Sequence, residues 1–293
     1  MKKVLVFINS ASRQGAASAD IVDAWLRQNN IEVLNESQAN LGSKNMLDVI
    51  RQFREVADAC IIGGGDGSVN HGLPALINTR LPVLLIPLGT ANNLARTLQI
   101  PTNILEALTL LLQGKITEID IGNANGIPFV NVIGIGMSAR VNRAVAAESK
   151  RWLGALAFAM TALRVAARMT PFRVTIECDG QLHRARSWQV TVCNGRNYGN
   201  GLTINENATL TDQTLHALST EVGKWWHGLR LIPSLLAGHF NAGQKVTMFE
   251  GKEIRIFTSR SKHVDIDGDI KTRTPVKISI LPLALKIYVP EAN

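Results

Sequence analysis

The sequence predicts a two-domain α/β protein, with an N-terminal doubly wound α/β domain over residues 1–121 and a C-terminal, mainly antiparallel β-sandwich over 122–282. Three observations carry that expectation. Short apolar strands alternate with amphipathic helical segments through the first 120 residues. Two of those strands run directly into glycine-rich turns that open helices. Beyond about Gly122 the helical period gives way to extended segments separated by turn signals such as Asp179-Gly180 and Asp267-Gly268.

Taken in order, Val4–Asn9 reads as a buried strand, and Ser18–Asn29 as a helix that gathers Ile21, Val22, Trp25 and Leu26 on one face. Ile31–Leu34 is a short strand and Met46–Ala57 a second helix. Ala59–Ile62 is a strand ending in Gly63-Gly64-Gly65, Val69–Asn78 a helix, Pro82–Pro87 a strand, and Asn92–Leu98 and Ile104–Leu112 are helical. Such alternation indicates a parallel sheet covered by helices on both faces. The second half reads as strands at Pro128–Ile133, Phe172–Cys178, Ser187–Cys193, Leu215–Thr220, Glu253–Thr258, Val264–Asp267 and Val276–Leu281. Helical stretches at Lys150–Met169 and Gly223–Ala237 interrupt them. The last segment is extended, and residues 283–293 can pack back on the first domain.

Composition narrows the function classes. With 293 residues, 46% hydrophobic and 18% charged, the chain is long enough to bury two cores and is not of disordered type. The N-terminal apolar run ends at Asn9-Ser10, too early for a signal peptide, and the uncharged stretch Trp152–Leu163 is too short to span a bilayer. Cys60, Cys178 and Cys193 have neither metal-ligand nor disulfide spacing, which suits a reducing cytoplasm. The net charge of +8 is unevenly spread. Residues 1–120 hold ten Lys/Arg and eleven Asp/Glu, whereas residues 121–293 hold twenty-one and twelve. A basic second half points to an anionic partner, a nucleic acid or an acidic membrane surface.

The strongest local signal is Gly63-Gly64-Gly65-Asp66-Gly67-Ser68-Val69-Asn70. A strand ends, glycines allow close backbone approach, and a helix begins at once, so its first N–H groups form an anion site suited to phosphates. A second such turn follows the next strand, Pro87-Leu88-Gly89-Thr90-Ala91-Asn92-Asn93. Three consecutive glycines followed by Asp-Gly-Ser exceed what a tight turn needs, and two such loops on neighbouring strands reinforce each other. Gly134-Ile135-Gly136-Met137-Ser138-Ala139 imitates a dinucleotide fingerprint, but residues 152–170 lack the acidic residue that fingerprint requires, so it reads as a tight turn between the domains. No Gly-Lys-Ser/Thr occurs, and the six histidines show no paired ligand spacing.

The two glycine loops resemble those of the diacylglycerol kinase catalytic-domain family, which includes bacterial lipid kinases and sphingosine and ceramide kinases. The family's Gly-Gly-Asp-Gly-Thr appears as Gly64-Gly65-Asp66-Gly67-Ser68, and its Pro-x-Gly-Thr-x-Asn-Asp as Pro87 to Asn93. Ile8-Asn9-Ser10-Ala11-Ser12-Arg13, Ile119-Asp120-Ile121-Gly122 and Asp267-Gly268-Asp269 match further family positions in order. Ser68, Asn93 and Asp269 depart from the family's Thr, Asp and Glu, and the Asn9 loop lacks its Pro and Gly.

The resemblance implies an ATP- and Mg²⁺-dependent lipid kinase, with ATP from the first domain meeting the lipid in a cleft with the second. It implies ATP contacts from Asn9, Ser37, Gly64, Gly65, Asp66, Gly67, Ser68, Val69, Asn70, His71, Gly89 and Thr90. Asp66, Asn93 and Asp120 would belong to a catalytic Mg²⁺ network. Asp269 would be the general base, with Asp267 its rival. Asn207–Leu215 matches an accessory Mg²⁺ loop, in which Asp212 would give its carboxylate and Thr209 and Thr214 their carbonyls. Basic helix ends at Lys150, Arg151, Arg164 and Arg168, together with Lys224-Trp225-Trp226-His227-Gly228-Leu229-Arg230, suit reversible, peripheral contact with an anionic membrane. An NAD-kinase-like small-molecule kinase, a nucleic-acid binder and a non-catalytic lipid or nucleotide binder are the rival readings. No recognised nucleic-acid module is present, and a homodimer is left open.

Overall fold

Strands β3 (Ala59–Gly64) and β4 (Val83–Pro87), and β1 (Lys3–Ile8) from Val4 onward, are apolar on both faces and buried, the pattern of central strands in a parallel sheet. The computed structural model describes residues 2–9, 15–35, 44–136, 171–195, 197–199, 202–203, 208–221 and 245–291. Ser37, Ser10–Arg13, the Met137–Ala139 end of the fingerprint-like segment, both helical stretches of the second half and the Trp225-Trp226 pair lie outside the described residues. The chain divides into two units, Met1–Ile121 with Leu281–Asn293, and Gly122–Ile280.

In the first unit β2 (Glu32–Val33) pairs parallel with β1, β1 with β3, β3 with β4, and β4 with the end of β17 (Val276–Val289), giving the order 2-1-3-4-17. The crossovers are α1 (Gly15–Gln28), α2 (Lys44–Gln52) and α3 (Asp66–Thr79), followed by α4 (Asn93–Thr97) and α5 (Ile104–Gln113). Helix α2 packs with α3, and α1 with α5. The strand order reverses between β1 and β3, the switch point outside which open α/β sheets bind ligands. Asn9 leaves β1 there, its N–H donating to the Gly63 carbonyl at 2.8 Å.

Residues 281–289 belong to this first unit. Asp120, on β5 (Lys115–Ala124), fixes their path: it is 1% exposed and its Oδ1 accepts the Leu283 N–H at 2.8 Å, while Arg80 donates to the Leu283 carbonyl. Leu283 has a φ of 47°, a left-handed conformation that an apolar side chain rarely adopts without such anchors.

The second unit is all antiparallel among the described residues. One layer runs β17–β14–β8–β9, where β8 is Phe172–Cys178, β9 Gln181–Asn194 and β14 Glu253–Thr258. The other runs β16–β15–β7–β9–β12–β13, where β7 is Val132–Gly136, β12 Leu215–Glu221, β13 Lys245–Gly251, β15 His263–Ile266 and β16 Asp269–Arg273. Strand β9 belongs to both layers and passes between them at a register shift near Trp188, where Gln189 and Ser187 face consecutive residues of β12. The core between the layers joins Ile133, Ile135, Val190, Val192, Val264 and Ile266 of one to Val174, Ile176, Ile254, Ile256, Val276 and Ile278 of the other. A short hairpin, β10 (Asn197–Gly199) and β11 (Leu202–Thr203), completes the described strands.

Two readings need correction. Pro128–Ile133 is not one strand: β6 (Ile127–Phe129) ends and β7 begins at Val132, because the N–H groups of Val130, Asn131 and Val132 all donate to Asp267. Gly134 and Gly136 are not a tight turn but lie in β7, opposite Thr191 and Gln189. Gly136, at φ 112°, lies so near the Trp188 carbonyl that a Cβ there would sit 2.2 Å from its oxygen.

The β5–β6 hairpin makes a testable demand on Gly122. A Cβ there would lie 2.1 Å from the ring of buried Phe129. Gly122→Ala is expected to destabilise the protein by about 1–3 kcal/mol through overpacking. Urea denaturation measures this, and an unchanged midpoint would contradict it.

Candidate functional site

Glycines at the ends of β3 and β4 let two loops pack backbone to backbone. The Leu88 N–H donates to the Gly64 carbonyl at 3.0 Å. A Cβ on Gly89 would stand 2.6 Å from the Gly65 Cα, and one on Gly64 would stand 2.1 Å from the Ser68 hydroxyl. Gly64 and Gly89 exclude side chains for want of room and Gly65 leaves only a tight 3.2 Å gap to the Gly89 Cα, since none of the three has a positive φ. Gly67 differs, because a Cβ there meets nothing within 4 Å.

Asp66 ties the loops together. Its Oδ2 accepts the Asn93 N–H and its Oδ1 the Leu94 N–H, each at 3.0 Å, so it holds two of the unpaired donors that begin α4. Asn92, at φ 48°, closes the second loop by accepting from the Gly89 N–H at 3.0 Å and donating to its carbonyl at 2.8 Å. Asn92 is a site-building residue absent from the sequence assignment, and its signal was the Asn-Asn pair directly after the glycine turn.

The start of α3 is left open. Gly65 caps it without a side chain, and the Ser68 N–H returns to the Gly65 carbonyl at 2.9 Å. The N–H groups of Asp66 and Gly67 have no partner among the described residues. One turn further, Asn70 is 7% exposed and its Oδ1 has no hydrogen-bond partner among the described residues. Free donors at the start of a 14-residue helix, beside an open glycine, fit an anionic ligand.

The structure brings Asn9, Gly64, Gly65, Asp66, Ser68, Gly89 and Asn93 together here. Gly67 and Thr90 are exposed, His71 is half-buried on α3, and Val69 packs its side chain into the core and offers only backbone. Asp120 accepts the Leu283 N–H with its Oδ1.

In the second unit, three aspartates around one hairpin have three different environments. Asp265 is buried and its Oδ1 accepts the Gly268 N–H at 2.9 Å. Asp267 accepts the N–H groups of Val130, Asn131 and Val132 at 2.8, 3.0 and 2.7 Å. Burial, and secondarily the Asp267 charge, push the nearby Cys193 thiol well above its ordinary range, so it stays protonated. Asp269 begins β16, is exposed, and has no side-chain partner among the described residues.

The accessory-loop residues also converge. Asp212 Oδ2 accepts the Thr209 N–H at 2.8 Å, and Oδ1 the Thr214 N–H at 2.9 Å. His216, buried on β12, sets Nε2 3.2 Å from Asp212 Oδ2 and Nδ1 3.5 Å from Glu250. Neither His216 nor Glu250 was singled out in the sequence, because only the β12–β13 pairing sets one opposite the other. Carboxylate and backbone oxygens in one turn fit a hard cation such as Mg²⁺. Among the described residues no group of three or more His, Cys, Asp or Glu gathers as a metal site, so backbone oxygens would have to complete such a shell.

Replacing Asp66 by Asn turns one of the two acceptors into a donor facing an N–H. The variant is expected to lose about 1–3 kcal/mol of stability. Thermal unfolding reads the effect, and a fully stable variant would remove the clasp role.

Residues 3–124 match the diacylglycerol kinase catalytic domain, and residues 131–289 match the YegS C-terminal NAD kinase beta sandwich-like domain. A diacylglycerol kinase from Mycobacterium tuberculosis is 28% identical over 298 residues, covering 98% of this chain and 95% of that protein. The crystal structure of a diacylglycerol kinase from Bacillus anthracis str. Sterne has a TM-score of 0.76 at 26% identity, covering 98% of this chain and 97% of that one. An uncharacterised Synechocystis protein is 28% identical over 261 residues, and the match spans 86% of this chain but only 60% of that relative. With its clasped glycine loops and both matched domains, the chain belongs to the diacylglycerol kinase catalytic-domain family of lipid kinases, in the form that carries a YegS-type β-sandwich domain.

Proposed function

We propose that the protein transfers the γ-phosphate of ATP to the hydroxyl of a membrane lipid, diacylglycerol or a related lipid alcohol. The observation that carries this reading is the open start of α3, where the Asp66 and Gly67 N–H groups have no partner among the described residues and a Cβ on Gly67 would meet nothing within 4 Å. Phosphoryl transfer asks a protein chiefly for positioning and for neutralisation of charge. The backbone N–H groups of Asp66 and Gly67, with the Ser68 and Thr90 hydroxyls and Asn9, would hold the phosphates. Mg²⁺, when bound, supplies positive charge against the phosphate oxygens. Asp66, Asn93 and Asp120 would orient it in the first unit, and Asp212 with Thr209 and Thr214 would hold the accessory ion.

Asp269 would take the proton of the attacking lipid hydroxyl while the γ-phosphorus to β-γ bridging oxygen bond breaks and ADP leaves. Its exposure and free carboxylate suit that role, whereas Asp267 is engaged by three N–H groups. No helix of the described residues is long and apolar enough to cross a membrane. The basic second half supports a cytoplasmic protein that meets an anionic membrane peripherally.

Incubating the protein with labelled ATP, Mg²⁺, a panel of lipid alcohols and NAD tests the reading. Transfer to a lipid is expected, and transfer to NAD alone would replace it with the small-molecule kinase. Gly67→Val, whose side chain would occupy the open face, is expected to abolish ATP binding without unfolding the protein. Unchanged ATP affinity in that variant would remove the nucleotide site. Asp269→Asn is expected to lower turnover by roughly 10²–10⁴-fold at unchanged stability. Asp267→Asn is expected to destabilise by about 1–3 kcal/mol through loss of a charged acceptor. Full turnover in a stable Asp269→Asn variant would exchange the two roles.

A further inference from the structure

The outward face of the β17–β14–β8–β9 layer divides into two halves of opposite electrostatic character. Strand alternation and register put Lys277 and Ser279 of β17, Glu253, Arg255 and Phe257 of β14, Arg173, Thr175 and Glu177 of β8, and Leu182, Arg184 and Arg186 of β9 on one side of the sheet. In one half the charges cancel. Arg255 lies 3.5 Å from Glu177 and 2.7 Å from Glu253, and Lys277 lies 2.9 Å from Glu253.

The other half has no such cancellation. Arg173 and Arg186 are directly opposite each other across the β8–β9 pair, and Arg184 stands two residues from Arg186 on the same side. All three are exposed, and none has an ion pair or side-chain hydrogen bond among the described residues. Like charges directly opposite in a sheet, with Cα atoms about 5 Å apart, weaken the pairing. Phe257, 43% exposed, flanks Thr175 across from Arg184, and Leu182, 62% exposed, lies beyond it on β9.

We propose that this Arg173–Arg184–Arg186 face, with Phe257 and Leu182, is the surface by which the protein docks on an anionic lipid bilayer. Three uncompensated arginines on a sheet face complement a surface of phosphate headgroups. The two apolar side chains decide between a bilayer and a nucleic acid. An exposed Leu gains little against a sugar-phosphate backbone, but Leu and Phe both gain by entering the headgroup–acyl boundary that the arginines approach. The proposal rests on the membrane association proposed above and adds where on the second unit it occurs.

The test is flotation of the full-length protein with phosphatidylcholine vesicles, with and without phosphatidylglycerol, at about 0.1 M salt. The wild type is expected to prefer the anionic vesicles, and R173Q/R184Q/R186Q to bind them about a hundredfold more weakly, with a shallower salt dependence. Phe257→Ser is expected to weaken binding several-fold while leaving the salt dependence unchanged. Wild-type affinity in the triple variant, or no anionic preference in the wild type, overturns the proposal. So does loss of binding to a single-stranded oligonucleotide in the triple variant with vesicle binding intact, which would assign the face to nucleic acid. Turnover on diacylglycerol in neutral detergent micelles separates docking from catalysis. Unchanged micellar turnover in the triple variant supports docking, and an equal fall in both readouts overturns it. Arginine-dependent vesicle binding by a wild type without lipid kinase activity supports the docking face while removing the kinase reading.

Discussion

The first unit's site depends on one carboxylate. Asp66 belongs by sequence to the loop that ends β3, but both of its oxygens are used by the loop that ends β4, on the N–H groups of Asn93 and Leu94. Its negative charge therefore sits at the start of α4, where the helix dipole favours it, and it supplies acceptors that α4 otherwise lacks. Around this clasp the glycines become necessary. With the loops held so close, Gly89 has no room for a Cβ beside the Gly65 Cα and Gly65 has only a tight 3.2 Å gap to the Gly89 Cα, while Gly64 is closed by Ser68 of its own loop. Because the clasp takes its donors from α4, the N–H groups of Asp66 and Gly67 that open α3 stay without a partner among the described residues. A single interaction thus both assembles the cradle and leaves it open.

The second unit uses the same chemistry to stabilise its hairpins. Asn125-Gly126, Asp179-Gly180 and Asp267-Gly268 all place a left-handed Asx residue before a left-handed glycine, the conformation of a two-residue hairpin turn. In each case the Asx side chain then holds a neighbouring segment. Asn125 accepts from the Lys277 N–H and donates to the Pro275 carbonyl, Asp179 accepts from Lys252 and Glu253, and Asp267 accepts from Val130 to Val132. The residue that makes the turn sterically tolerable is also the one that binds the turn to the rest of the sandwich.

This division explains what was legible in the sequence. The β3 and β4 loops were, because strand, glycines and helix start are consecutive and their meaning is local. The Asp-Gly turns were legible for the same reason. The break between β6 and β7 was not, since its cause lies 135 residues or more away, in the Asp267 carboxylate. Gly134 and Gly136 looked like a turn because glycine in a strand has no local signature, and it is the positive φ of Gly136 and the close Trp188 carbonyl that account for that residue. Strands β13 and β16 carry exposed, polar positions at a sheet edge, so their alternation gave no clear period. Asp120 is the instructive case. The resemblance assigned it to metal chemistry, and its immediate described role is to hold Leu283 in a left-handed conformation 163 residues later.

The same reasoning ranks the carboxylates as chemical groups. A base must present a free lone pair within reach of the proton it removes, and geometry decides this before acidity does. Asp66 and Asp212 each accept two backbone N–H groups, and Asp267 accepts three. Asp265 and Asp120 are buried and hold backbone as well. In each of them an oxygen is already turned toward the chain that it organises. Asp269 differs in that the side chains bracing the hairpin turn beside it are those of Asp265 and Asp267, and its own carboxylate has no structural partner among the described residues. Two aspartates that fix a turn and a third that the turn presents form a coherent arrangement for a group that must be both precisely placed and chemically uncommitted.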